Sequence, residues 1–176
     1  MIKILFESHA TTRDNEAKIA SGAHDTELSD LGKKQALELG ERYRHAVFDA
    51  IFCSALSRSY KTAEIAFSDR NFLIVQDARL NECDYGEYNG HPTSEVESMK
   101  KACISVAFPG GESYVDTCRR MGEFLQQLAE SFQGKQVLII GHRATQYALE
   151  HFLNGKTIEE AVTRAWTWQP GWEYTL

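Results

Sequence analysis

The apolar positions of this chain follow two different periods. Runs at 2–6 (IKILF), 47–53 (VFDAIFC), 72–75 (FLIV) and 136–141 (QVLIIG) are nearly continuous and are bounded by polar residues. Apolar runs of that length predict strands buried on both faces, which is the habit of a parallel sheet. Between them the apolar residues recur at helical spacing. After Ser29, a capping residue type, Leu31, Leu39 and Tyr43 predict the inner face of one helix. Leu56, Tyr60, Ala63 and Phe67 predict a second, and Val115, Cys118, Met121, Leu125 and Leu128 a third, while ATQYALEHFL continues the alternation after the last of the four runs.

Strands alternating with amphipathic helices predict βαβ units, hence an α/β fold: a three-layer α/β/α sandwich with a mostly parallel central sheet. With 176 residues, the chain suits a single domain spanning 1–176. One long irregular region, about 84–111, carries GEYNGHP and FPGG and reads as a lid or insert over a site. Near the C-terminus WTWQPGWEY reads as a final strand with its packing, from which Trp166 or Trp168 reaches a partner.

Composition narrows the function class. The net charge of −6 has no cluster of Lys and Arg set against it, so a nucleic-acid partner is not expected. The apolar run at 2–6 is too short for a signal core or a membrane span, and the chain reads as cytoplasmic, without a membrane partner. Cys53, Cys83, Cys103 and Cys118 form no CxxC pair and read as buried reduced thiols.

In α/β folds ligands gather beyond the carboxyl ends of the strands. His9 follows the first predicted strand, Arg58 the second by a few residues, Glu82 the third after a short loop, and His142 the fourth at once. Taken singly, each reads as an ordinary packed or solvated side chain, but the fold brings all four to one rim. Together they suit phosphoryl transfer. A neutral imidazole can accept a phosphoryl group, Arg58 and His142 can bind its oxygens, and a carboxylic acid such as Glu82 can protonate the departing alkoxide. A metal site built from His9, Glu82 and His142 with His24 or His91 is the competing reading, and it lacks the close ligand spacing that metal motifs show.

These segments resemble the histidine phosphatase superfamily, also called phosphoglycerate mutase-like. ESHATTRDN is similar to its Arg-His-Gly triplet followed by Thr and Asn, keeping His9, Thr12 and Asn15. AHDTELSDLGKKQA, SALSRSYKTA, LNECDYGEYNG, PGGES and VLIIGH resemble its later motifs in order, so the likeness covers nearly the whole chain. It implies catalytic roles for His9 as phosphohistidine nucleophile, Glu82 as proton donor and His142 as phosphate ligand. It further implies phosphate binding by Arg58 and Asn15, a small phosphorylated substrate, and neither metal nor organic cofactor.

Two departures stand out. The family's arginine before the nucleophile is Ser8 here, and the glycine after the second histidine is Arg143. Losing one charge-assisted donor costs on the order of 10²–10³ in rate if oxyanion-hole magnitudes transfer. Arg143, or else Arg13, is the candidate to restore that charge; pairing of Arg143 with a surface acid is the alternative. The expected activity is phosphomonoester hydrolysis. A weakly active or non-catalytic member that binds a phosphorylated ligand or protein is the rival, and a phosphomutase is less favoured because 84–111 offers only Lys100 and Lys101 as cations.

Overall fold

The computed structural model describes residues 1–176. In chain order the strands are β1 (Lys3–Ser8), β2 (Ile19–Ala20), β3 (Ala50–Cys53), β4 (Ile74–Gln76), β5 (His91–Pro92), β6 (Gln136–Gly141) and β7 (Trp172–Thr175). The helices are α1 (Arg13–Glu16), α2 (Asp30–Arg42), α3 (Ser57–Phe67), α4 (Thr93–Met99), α5 (Tyr114–Ser131), α6 (Arg143–Asn154) and α7 (Ile158–Thr163). The main sheet has the order β4-β3-β6-β1-β7. Its first four strands are parallel, and β7 closes the edge antiparallel to β1. β2 and β5 form a separate antiparallel pair.

The nearly continuous apolar runs have a direct structural reason: both faces of the sheet are covered. Ile4, Phe6, Phe52, Val137 and Ile139 pack with Met121, Phe124, Leu125 and Leu128 of α5 on one face. On the other, Ile51, Cys53, Leu138 and Ile140 pack with Leu39, Ala63 and Phe67 of α2 and α3. Alternate residues of one strand thus enter opposite cores, so each strand locks the two helical layers together.

The predicted helices form with shifted stripes. Ser29 accepts a hydrogen bond from the Gly32 N–H and caps α2, as its type suggests. Leu31, expected inside, is half exposed, whereas Leu39 is buried as expected, together with Gly32 and Ala36. In α5, started by a reciprocal Ser113–Asp116 capping box, Tyr114 and Thr117 take the buried position expected for Val115. The second predicted strand is shorter than its apolar run, because Val47 is exposed and pairing begins at Ala50.

The region 84–111 is more ordered than its composition suggests. It carries a short 3-10 turn at Gly86–Tyr88, then β5 and α4. Tyr85, Val96, Cys103 and Phe108 pack with Tyr114, Ala144 and Tyr147, a third apolar cluster that holds the region against α5 and α6. All four cysteines are buried and unpaired. No helix is long and apolar enough to cross a membrane.

Candidate active site

The register Ser8↔Gly141 brings the ends of β1 and β6 level, so the next residues, His9 and His142, come side by side. The His9 N–H extends the ladder by donating to the Gly141 carbonyl at 3.0 Å. The two imidazole centroids are 5.0 Å apart. β3 lies on the far side of β6, which places Ser54 against His142.

Hydrogen bonds assign the tautomers. His9 Nδ1 lies 2.8 Å from the Ala10 carbonyl, which can only accept, so Nδ1 carries the proton and Nε2 keeps its lone pair. Burial first, and the Arg58 charge second, push the imidazolium pKa of His9 down to about 3. The ring is therefore neutral at neutral pH, although one side of it opens to the cavity described below. His142 Nε2 lies 2.7 Å from Ser54 Oγ. That hydroxyl accepts from the Leu56 N–H at 3.2 Å, and its own buried proton has no acceptor other than His142 Nε2, so it donates there. His142 therefore protonates at Nδ1, an atom that is buried without a partner. A fixed, unpaired donor of this kind is ready for an anion. Burial, then Arg58 and His9, also hold His142 well below the usual imidazole range.

Arg58, from the first turn of α3, is only 2% exposed. Its Nη1 donates to the His24 carbonyl at 2.8 Å and Nη2 to the Gly22 carbonyl at 2.7 Å. No carboxylate forms an ion pair with it, and three of its five N–H donors remain free. Glu82 reaches the start of α6, where one carboxylate oxygen accepts from the Cys83 N–H at 2.8 Å and the Ala144 N–H at 3.2 Å. Arg120 of α5 fixes the backbone behind it by donating to the Glu82 carbonyl at 2.9 Å.

These four residues line one cavity of about 1080 Å³. Asn15 lines it as well; its Oδ1 caps α1 by accepting from the Thr12 N–H at 3.0 Å, and its NH₂ group is uncommitted. Arg143 also reaches the cavity, but Nη1 is 2.7 Å from Glu97 Oε1 and the guanidinium sits over the Trp166 ring at 4.9 Å. Arg13 lies outside the lining and pairs with Glu27 on the surface. His24 and His91 are exposed and also lie outside it, and nowhere do three or more His, Cys, Asp or Glu side chains gather in a way that could hold a metal ion.

Sequence reasoning missed several participants. Ser54 sits inside the segment SALSRSYKTA, yet only the sheet order reveals its contact with His142. Glu7, the polar residue that follows the first apolar run, is buried and receives hydrogen bonds from Arg42 Nη1 at 2.8 Å and the Tyr43 hydroxyl at 2.6 Å. Burial raises its carboxyl pKa, and those two partners partly offset the rise. Glu97 and Arg120 had no signal in the chain pattern, since each acts through a partner far away in sequence. Lys100, counted as a free cation, is turned inward against the Tyr147 hydroxyl at 2.6 Å.

A family model of the histidine phosphatase superfamily (branch 1) matches residues 4–167. The chain belongs to the histidine phosphatase superfamily. Within it, the chain is 28% identical over 157 residues to phosphoserine phosphatase 1 of Hydrogenobacter thermophilus, covering 85% of this chain and 74% of that one. It is 29% identical over 150 residues to a Salmonella choleraesuis protein named "Probable phosphoglycerate mutase", covering 81% and 70%. A structure of mycobacterial glucosyl-3-phosphoglycerate phosphatase superimposes with a TM-score of 0.82 at 24% identity, covering 93% of this chain and 87% of that one. The superfamily's fold is thus that of this chain, and its named members are phosphatases and mutases.

Proposed function

We propose that this superfamily member is a phosphomonoester hydrolase that works through a phosphohistidine on His9. The observation that carries the reading is the pairing of a free His9 Nε2 lone pair with an unpartnered His142 Nδ1–H in one cavity. His9 Nε2 forms a bond to phosphorus as the bond from phosphorus to the alcohol oxygen breaks. The departing oxygen takes the proton of the Glu82 carboxyl group. Glu82, now a carboxylate, accepts a proton from water while the water oxygen attacks phosphorus. The N–P bond then breaks, releasing inorganic phosphate and restoring His9 and Glu82.

Arg58 and the His142 Nδ1–H bind the peripheral oxygens, and the uncommitted amide of Asn15 adds a third donor. Arg143 contributes its charge from a distance, because Glu97 holds the guanidinium. The region 84–111 acts as a lid, supplying Tyr85, Val96 and Glu97 to the cavity wall. Every step uses side-chain chemistry, so activity is expected to survive chelation, and the four buried free thiols suit a cytoplasmic setting.

The second reading, a member that binds a phosphorylated ligand with little turnover, is favoured by Ser8 and by the carboxylate pairing of Arg143. Hydrolysis of p-nitrophenyl phosphate beside a His9→Ala control separates the two. Turnover by the wild type, lost in the variant and accompanied by an acid-labile, alkali-stable phosphoryl label on the protein, supports the hydrolase. Equal background rates support the binder.

A further inference from the structure

The cavity is far larger than a phosphoryl group needs, and its remaining walls differ in character from the histidine end. Resting on the hydrolase reading above, we infer that the alcohol part of the substrate is an uncharged, hydroxyl-bearing ring, and that esters carrying a carboxylate are disfavoured. Trp168 is the residue that sets this preference.

Charge supplies the first argument. The cations facing the cavity are Lys18, Arg42, Arg58 and Arg143, and four carboxylates face it too. Arg42 is tied to Glu7 at 2.8 Å and Arg143 to Glu97 at 2.7 Å. Arg58 is the one arginine without a carboxylate partner, and the phosphoryl group takes it. An acidic leaving group would meet two arginines whose charge is already matched and the exposed Lys18, whose charge is offset by the unpaired Glu38 in the same lining. Extracting an arginine from its ion pair to receive that carboxylate exchanges one pair for another with no net gain.

The second argument comes from the walls. Trp166 and Trp168 both line the cavity. Each indole lies against one of the paired arginines: Arg143 lies 4.9 Å from the Trp166 ring centre and Arg42 lies 5.7 Å from that of Trp168. The guanidinium groups brace the indoles as flat apolar walls. Trp168 is 52% exposed, which leaves much of its surface open to a ligand. In the same lining, Gln35 has its Oε1 taken by the Thr11 N–H at 2.9 Å, which leaves its NH₂ an uncommitted donor, and Glu38 offers an acceptor. A flat apolar wall with separate donors and acceptors suits a ring that carries hydroxyl groups on its edge.

The test compares kcat/KM for glucose 6-phosphate, 3-phosphoglycerate, phosphoserine and ethyl phosphate, in the wild type, Trp168→Ala and Trp168→Phe. Glucose 6-phosphate should lead both acidic esters by about tenfold or more, which corresponds to about 1.4 kcal/mol. Trp168→Ala should lower the ratio of glucose 6-phosphate to ethyl phosphate about tenfold, mainly through KM, and Trp168→Phe should restore most of it. A preference for 3-phosphoglycerate or phosphoserine, or an unchanged ratio in Trp168→Ala, overturns the inference and leaves the hydrolase reading intact. Failure to hydrolyse any ester, p-nitrophenyl phosphate included, overturns both.

Discussion

Replacing Ser54 with alanine removes one oxygen, and that oxygen decides which nitrogen of His142 carries the proton. Ser54 is wholly buried, and its hydroxyl touches His142 Nε2 at 2.7 Å and the Leu56 N–H at 3.2 Å. The variant leaves both groups buried without a partner, a cost of about 1–3 kcal/mol each. At about 2–4 °C per kcal/mol for a chain of this size, Tm should fall by several degrees. The catalytic loss is separable from that. Deleting the imidazole in His142→Ala removes a donor to the phosphoryl oxygens, worth on the order of 10²–10³ in kcat. Ser54→Ala keeps the ring and frees its tautomer, and the bound anion then favours Nδ1–H unaided. The expected loss is therefore smaller, about tenfold, or about 1.4 kcal/mol. Steady-state hydrolysis of p-nitrophenyl phosphate at a temperature well below both Tm values measures the rates. Nitrogen NMR of labelled histidine should show the Nδ1–H form of His142 in the wild type and a mixture in the variant. A variant with wild-type kcat, or a wild type already protonated at Nε2, refutes the tautomer argument.

Glu97→Gln should release Arg143 toward the cavity and tighten inhibition by inorganic phosphate several-fold; isothermal titration measures it, and adding Arg143→Ala should cancel the gain. Because burial raises the Glu7 carboxyl pKa, the native state holds that proton more tightly than the unfolded chain does. The stability this contributes is complete below the ordinary carboxylate value of 4.5 and is lost as pH rises through the raised value. Glu7→Gln should therefore remove a decline in Tm over that interval, seen by calorimetry as a flatter profile. His9 behaves oppositely: its lowered pKa gives stability that is present above 6.5 and lost as pH falls toward about 3, so His9→Asn should unfold less readily in acid. Met121→Ala, at a position 1% exposed between α5 and the sheet, should cost about 2–5 kcal/mol in urea unfolding and leave the site chemistry unchanged.

Much of the architecture was legible because the apolar runs carried it. QVLIIG reads as a strand buried on both faces, and β6 indeed occupies the centre of the sheet with a helical layer on either side. Errors arose where packing overrode periodicity. Leu31 has the right spacing for an inner position, yet Gly32 faces the β1 end so closely that a side chain there would strike the Thr11 carbonyl. That close approach turns α2 so that Leu31 looks outward. Region 84–111 looked irregular because its order comes from Tyr85, Val96 and Phe108 packing on α6, not from a local repeat.

The histidine at the end of β1 shows the same division between sequence and tertiary structure. Strand pattern and residue chemistry alone place His9, Arg58, Glu82 and His142 beyond strand ends, because a parallel sheet puts all its carboxyl ends on one edge. The identity of residue 8 is also plain in the chain: a serine, with a hydroxyl where the resemblance calls for a cation. What takes over that charge is a tertiary matter. Arg13 turns to the surface, Arg143 is held by Glu97, Arg42 by Glu7, and Arg58 is left free of carboxylates. The same holds for the tautomer of His142, fixed by a hydroxyl 88 residues away. Local pattern specifies which groups reach the rim. Long-range contacts decide which of them arrive charged, paired or with a proton to give, since hydrogen bonds and ion pairs depend on neighbours that only the folded chain assembles.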